Sequence, residues 1–455
     1  FILNTLNAQD KKDDKEKKQE KTNKNLPIKP ERFYNLNTDT GSWMSLDVSP
    51  DGKTIVFDLL GDIYSIPISG GKAKRITKGM AFDSHPKYSP DGESIAYVSD
   101  KGGGNNIWIR NLNTKDSIQI TKEKDNQTAF ADWSKDGDYL IISKGRRNLK
   151  LHMYHKDGGS GVKLIDKPTS LKVVQPEVGA DNRYIWYANR TNSWQYNAGL
   201  PQYQISKYDR DTGEIKRETS RFGSAFTPTL SPDGKSLVYG TRYEDKTALR
   251  IRNLETGYEK WLAFPVQKDD QESQATMGVL PNMTFTPDSK YLILSYGGKI
   301  NKIDINEGTS VEIPFQIDEI VEVGPELKFN YNISDDKSMI VNQIRNPSLS
   351  PDNKKISFTA LNKLYVMDIE SKQMLRLTSF EDETTEAMPN WSPDGKEIVF
   401  VTWNDKTGGS LYKVRSDGKR NPILLTKSND KRINGVYMNP TWNPTGDRIV
   451  FTFGN

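Results

Sequence analysis

The sequence predicts an all-β protein: a β-propeller of four-stranded antiparallel blades, with about eight complete repeats and a partial ninth. Three observations carry that prediction. A Ser-Pro-Asp-Gly string recurs at intervals of forty-odd residues from residue 43 onward. A short β-branched or aromatic run follows each copy. No amphipathic helix lies between the copies, and a repeat period in this range marks arrays and propellers.

Ser-Pro-Asp-Gly is intact at Ser49 to Gly52, Ser89 to Gly92, Ser231 to Gly234 and Ser392 to Gly395. Worn copies stand at Ser134 to Gly137, Ala180 to Asn182, Thr286 to Ser289, Ser350 to Asn353 and Asn443 to Gly446. The nine copies are spaced by 40, 45, 45, 52, 55, 64, 42 and 51 residues. Proline presets φ for the first central position of a type I turn, and Asp tolerates the next. Gly or Asn then supplies the left-handed residue that returns the chain into an antiparallel partner.

The runs after the anchors, such as Thr54 to Phe57, Ser94 to Val98, Ser236 to Tyr239, Lys355 to Phe358 and Glu397 to Val401, have the composition and length of strands. A third strand follows in each copy, as in Ile63 to Ile66 or Leu364 to Met367. A fourth often ends in an aliphatic-Thr pair: Ile76-Thr77, Ile120-Thr121, Leu377-Thr378 and Leu425-Thr426. The leading strand of the next copy arrives as Pro86-Lys87-Tyr88-Ser89 or Ala131-Asp132-Trp133-Ser134. Thin sheets packed face to face account for 34% hydrophobic residues beside 20 Tyr, 16 Phe and 9 Trp.

Composition sets limits on function. There is no cysteine, which removes disulfides, thiolate metal sites and a cysteine nucleophile. A formal net charge of +4 over 455 residues offers no basic stripe for nucleic acid. No run of about 18 or more apolar residues exists to span a bilayer as a helix.

Residues 1–9, an apolar run ending at Ala8-Gln9, read as the remnant of a secretory signal, which implies a periplasmic or secreted protein of the Gram-negative envelope. Residues 10–31, rich in Lys, Asp and Glu and broken by Pro27 and Pro30, read as a disordered charged linker. A six-bladed propeller is expected over residues 32–318. Further blades follow over 319–455, as the start of a second propeller or as a continuation of one larger ring. The ninth copy stops after its second strand, so the chain is expected to be a fragment.

The Trp/Tyr-Ser-Pro-Asp-Gly, Leu-Tyr-x-Met-Asp and Leu-Thr grammar resembles the TolB-like propeller repeat of periplasmic proteins over residues 40 to 455. More narrowly, Gly41 to Gly52, Asp58 to Tyr64, Ser99 to Trp108 and Val341 to Arg345 resemble the propeller region that precedes the catalytic domain of large secreted bacterial amidohydrolases. That resemblance implies a non-catalytic module that gates or orients substrate access, with the metal-dependent catalytic domain beyond residue 455. Two alternatives stay open: a TolB-like periplasmic protein-binding scaffold, and the gating propeller of a dipeptidyl-peptidase or tricorn-type serine peptidase. The partners implied are its own C-terminal catalytic domain or envelope proteins, with a peptide or small molecule as substrate.

No catalytic, cofactor-binding or metal-binding residue is assigned within the span. His85, His152 and His155 are the only histidines; the last two stand three apart on an expected strand and so point to opposite faces. Gly158-Gly159-Ser160-Gly161 lacks the spacing of a nucleophile elbow and reads as a turn between strands. Gly102-Gly103-Gly104 is followed by neither Lys-Ser/Thr nor a helix. Asp269-Asp270 and Glu381-Asp382-Glu383 read as solvated loops. One segment falls outside the blade grammar, residues 189–203, where Arg190, Trp194, Tyr196 and Tyr203 form a candidate recognition loop, since exposed aromatics with Arg anchor interfaces. Purified residues 31–455 are expected to show no hydrolase activity and no stoichiometric zinc. Turnover that survives purification and disappears on substitution within this span would overturn that expectation.

Overall fold

The second strand of each blade is apolar at successive positions, and successive side chains of a strand point to opposite faces. A sheet built around such a strand has two faces to bury. A computed structural model, which describes residues 29–124, 127–191, 199–271, 278–327, 331–426 and 435–454, meets that demand by stacking sheets face to face. The chain divides into two compact units, residues 1–328 and 329–455.

In the first unit the described residues form six four-stranded antiparallel blades. Blade 1 comprises Leu46–Val48, Thr54–Leu59, Asp62–Pro67 and Lys74–Arg75. Blade 2 comprises Asp83–Tyr88, Ser94–Ser99, Asn106–Asn111 and Ser117–Gln119. Blade 3 runs from Gln127–Trp133 through Tyr139–Gly145 and Lys150–His155 to Gly158–Lys163, and blade 4 from Lys172–Val178 through Tyr184–Arg190 and Gln204–Asp209 to Ile215–Arg217. Blade 5 holds Phe226–Leu230, Ser236–Tyr243, Lys246–Asn253 and Glu259–Lys268. Blade 6 holds Thr284–Phe285, Tyr291–Tyr296, Lys299–Asp304 and Ser310–Ile313. All nine Ser-Pro-Asp-Gly copies join the first strand of a sheet to its second, as the repeat predicts. Among the described residues there is no helix.

Alternation along the second strands decides which neighbour each residue meets. In blade 2, Ile95 and Tyr97 pack with Val56 and Ile63 of blade 1. Ala96 and Val98, between them, pack with Trp133 and Leu140 of blade 3. The same division repeats: Ile141 of blade 3 meets Val173 and Ile185 of blade 4, and Trp186 meets Leu237 and Tyr239 of blade 5. Val238 then meets Leu292 of blade 6. The ring closes because Ile293 and Ile300 of blade 6 pack on Leu46, Ile55 and Phe57 of blade 1.

The anchors close in the same order. A Cβ added to Gly92 would lie 3.4 Å from Pro50, one on Gly137 would lie 3.6 Å from Pro90, and one on Gly52 would lie 3.5 Å from Pro287. These anchor glycines therefore rest against the proline of the preceding blade, Gly234 rests likewise against Ala180, and blade 1 rests on blade 6. Within an anchor the Ser hydroxyl donates to the Asp carboxylate and accepts the N–H at the start of the second strand, as in Ser49 to Asp51 (2.6 Å) and Thr54 N to Ser49 (3.0 Å). These bonds account for Ser and Asp at positions where the turn alone requires neither.

The aliphatic-Thr pair has a matching role. Thr77, Thr121 and Thr426 each accept an N–H of the third strand, from Ile63, Ile107 and Leu411 at 2.9, 2.9 and 3.1 Å. In the second unit's first blade the buried Glu386 carboxylate takes the N–H of Leu364 and the hydroxyl of Thr378 instead.

A seventh sheet lies outside the blade grammar. Arg32–Thr38 pairs antiparallel with Phe315–Val323, which pairs parallel with Gly71–Lys72 of the blade 1 periphery. This clasp ties the start of the ring to its end and buries Leu36 and Ile317 in the blade 1 and blade 6 core. The division expected at residue 318 falls inside one of its strands, because the chain after blade 6 runs back along the N-terminal strand before it leaves the ring. The expected signal remnant, 1–9, and residues 10–28 of the expected linker lie outside the described residues. Glu31, the linker's last residue, already donates its N–H to Val323.

The second unit has two four-stranded blades, Ile344–Leu349 to Met374–Arg376 and Thr385–Trp391 to Ile423–Leu424, and a hairpin of Val436–Trp442 with Ile449–Gly454. Val399 and Val401 pack against Tyr437, Trp442 and Ile449 of that hairpin, while Val450, Phe451 and Phe453 are exposed. Gly158 to Gly161, read as a turn, belongs instead to an outer strand that pairs with Lys150–His155, because positive φ at Gly158 and Gly159 lets the hairpin turn tightly enough for His155 to face Gly158. Leu36→Ala is expected to lower the unfolding free energy by about 2 to 3 kcal/mol, read by chemical denaturation. An unchanged midpoint would mean that the clasp does not stabilise the ring.

Candidate functional site

The first strand of each blade lines the ring axis, and the residue two positions before the anchor's Ser position, which Gly179 occupies in blade 4, recurs there in register: Asp47, Lys87, Asp132, Glu177, Thr229 and Thr284. Lys87 Nζ lies 3.8 Å from Asp47, 3.7 Å from Asp132 and 3.4 Å from Glu177. One buried cation thus ties together the first four blades. Burial opposes the ammonium charge, but Asp47, Glu177 and Asp132 outweigh it and hold the Lys87 pKa above its ordinary value. Burial pushes the Asp47 carboxyl up against the pull of Lys87, and pushes that of Glu177 to about 7 against the same pull.

The free carboxylate oxygens at this level lock neighbouring blades. Asp47 accepts the N–H of Tyr88 at 2.8 Å, and Asp132 accepts that of Val178 at 2.7 Å. Asn390 accepts the N–H of Trp442 in the second unit at 3.1 Å. Trp133 and Trp391 return the bond, donating their indole N–H to the carbonyls of Lys87 and Ser348 in the preceding blade. A further latch, Asp58, accepts the N–H of Ser45 and of His85. Burial pushes its carboxyl up to about 7, more than those two N–H groups pull it down.

Above this charged level opens a funnel of about 360 Å³, rimmed by the second anchor residue of all six blades: Pro50, Pro90, Lys135, Ala180, Pro232 and Pro287. Below it the axis is blocked. Gln175 donates across the ring to the Leu280 carbonyl (3.0 Å) and Asn282 (3.3 Å) and accepts from Thr227 at 2.8 Å. The remaining cavity is about 10 Å³, at the lower limit of what one water needs. His85, Gln175 and Thr227 sit on β-bulges at positive φ, each followed by a proline, whose missing N–H leaves no ladder bond unmade there.

The candidate recognition loop resolves differently. Arg190 and Tyr203 are buried, at 3% and 2% exposure, with the guanidinium 5.3 Å above the Tyr203 ring. They pack the ring rather than face a partner, because the strands Tyr184–Arg190 and Gln204–Asp209 carry them inward on either side of the connection. Trp194 and Tyr196 lie outside the described residues. The three histidines stay apart: His85 is buried on a bulge, its ring edge-on to Phe130 at 5.0 Å, while His152 and His155 share the third strand of blade 3. Asp269, read as solvated, is paired with Arg242 at 3.3 Å. Sequence reasoning missed the axial charges; a signal for them existed in the position two before each anchor, which is polar in all nine copies.

The model of the Tricorn protease N-terminal beta propeller domain family matches residues 46–204. The chain is 27% identical over 289 residues to the Tol-Pal system protein TolB of Francisella tularensis, covering 62% of this chain and 56% of that one. The chain folds as a β-propeller similar to TolB. Tricorn protease homolog 1 of Streptomyces coelicolor is 27% identical over 102 residues, or 22% of this chain and 10% of its own. The crystal structure of TolB from Acinetobacter baumannii is similar with a TM-score of 0.45 and 17% identity, over 61% of this chain and 65% of that chain. The TolB-like propeller here spans about half the length of the TolB relative it matches.

Removing the Lys87 charge leaves three carboxylates facing one another. Lys87→Met is expected to destabilise the TolB-like propeller by about 3 to 5 kcal/mol. The sign of the pH dependence follows from the raised carboxyls: their folded pKa values exceed the unfolded ones, so stability is fullest below about pH 4 and declines as pH rises toward about 7. The wild-type denaturation midpoint should fall between about pH 4 and pH 7, more steeply in Lys87→Met and less steeply in Asp58→Asn. A flat profile in all three proteins would refute this assignment.

Proposed function

We propose that the six-bladed ring is a protein-recognition scaffold of the bacterial envelope, working in the periplasm, and that the axial funnel is where it receives its partner. The observation that carries this reading is a mouth to which all six blades contribute, over a floor closed by the Lys87 ion cluster and the Gln175 bridge. A blocked axis suits docking at one face better than passage of substrate through the ring. The TolB relatives, named for the Tol-Pal system, support an envelope protein as the partner.

A second reading, in which the propeller orients substrate for the catalytic domain of a secreted hydrolase, draws on the match of residues 46–204 to the propeller of a protease. The resemblance of residues 41–52 and 341–345 to amidohydrolase propellers makes a metal-dependent amidohydrolase the preferred class of that enzyme. On this reading the funnel faces the catalytic domain of the same polypeptide.

A photo-crosslinking amino acid at Ala180, exposed on the funnel rim, separates the two in living cells. A crosslink to a separate envelope protein supports the scaffold, and an intramolecular crosslink supports the hydrolase module. No crosslink from Ala180, with capture from a residue on an outer strand such as Lys216, would sink both assignments of the funnel. Ala180→Trp, which fills the mouth without touching the floor, is expected to abolish partner capture while the melting temperature stays unchanged.

A further inference from the structure

A second concave site lies away from the axis, between the outer parts of blades 1 and 2. Its volume, about 620 Å³, exceeds that of the funnel and falls within the usual range of ligand pockets. Lys74, Lys78, Lys101, Arg110 and Lys115 line it, against a single carboxylate, Asp83. None of these five cations forms an ion pair among the described residues. Arg75, the sixth cation at the site, is taken up inside the fold, 2.7 Å from Asp62 and 2.5 Å from Glu322.

The concentration of charge is local. The whole chain carries a net charge of +4, so five uncompensated cations around one groove do not follow from composition. Like charges held together cost free energy unless a ligand of opposite sign offsets them, and a concave wall focuses their field on whatever enters. Arg110 is half-buried and held by the Ser117 hydroxyl at 3.2 Å, which sets its guanidinium in place. Asp83, the one carboxylate at the site, is buried and held by the Ser99 and Thr77 side chains, so it does not neutralise the wall.

We propose that this groove binds an extended acidic peptide segment. Side-chain carboxylates of such a segment pair with the wall cations. The floor tyrosines, Tyr88 and Tyr97, are 9% and 2% exposed, so neither presents an open ring face on which a sugar could stack. That favours a peptide over an acidic saccharide. The site is independent of whatever occupies the axial funnel.

The probe is a fluorescein-labelled hexapeptide of alternating Asp and Glu, titrated by anisotropy against the intact chain. Saturable binding is expected that weakens between about 50 mM and 300 mM salt, as the screening length shortens. Lys74→Glu, Lys78→Glu and Lys101→Glu, all exposed, should together weaken it about tenfold or more. Lys135→Glu on the funnel rim should leave it unchanged. Should the triple reversal unfold the protein, Lys78→Gln with Lys101→Gln carries the same test with a several-fold loss. The proposal fails if binding does not saturate, if Lys135→Glu weakens it as much as the groove variants, or if an acidic hexasaccharide or inorganic polyphosphate binds more tightly than the peptide at the same salt.

Discussion

Burial of both faces of every second strand is the constraint on which the rest of this structure depends. A strand such as Ser94–Ser99 presents Ile95 and Tyr97 to one neighbour and Ala96 and Val98 to the other. No single blade can satisfy that requirement, and no open stack can satisfy it at its ends. Six blades closed on themselves do, which is why the packing of Ile293 on Ile55 matters more than any one hydrogen bond.

Closing a ring brings its innermost strands together, and that creates the second problem the residues solve. Bulges at His85, Gln175 and Thr227 bend these strands, and the prolines that follow relieve the ladder of a donor it could not pair. The polar positions two residues before the anchors then meet near the axis. There Lys87 pulls against the burial that raises the Asp47 and Glu177 carboxyls, and Asp47 and Asp132 in turn accept backbone N–H groups of the next blade. Charge at the axis therefore has a structural duty, and the funnel above it inherits a polar floor. That floor ties the stability of the ring to pH through the same groups that shape its candidate binding face.

Repeat grammar was legible because each conserved-looking position within the chain answers a local need. Ser, Asp and Gly of the anchor satisfy one turn, and the Thr of the fourth strand satisfies one N–H of the third. Residues that act across blades were harder to read. Arg190 and Tyr203 stand in an irregular stretch that resembles an exposed loop, yet the flanking strands turn them inward. Lys87 stands in a strand motif that reads as structural until three other blades place their carboxylates around it.

The sequence by itself determined the all-β class, the nine turns and the strands that flank them, because each of these depends on neighbours a few residues away. Tertiary structure alone decided that the first ring closes at six and that Arg32–Thr38 clasps Phe315–Val323. It also decided that Asp47, Lys87, Asp132 and Glu177 share one site. Those residues are separated by forty or more positions, and nothing in local propensity encodes the curvature that brings them within 4 Å. Accumulated blade-to-blade packing sets that curvature, and it exists only once the whole ring has formed.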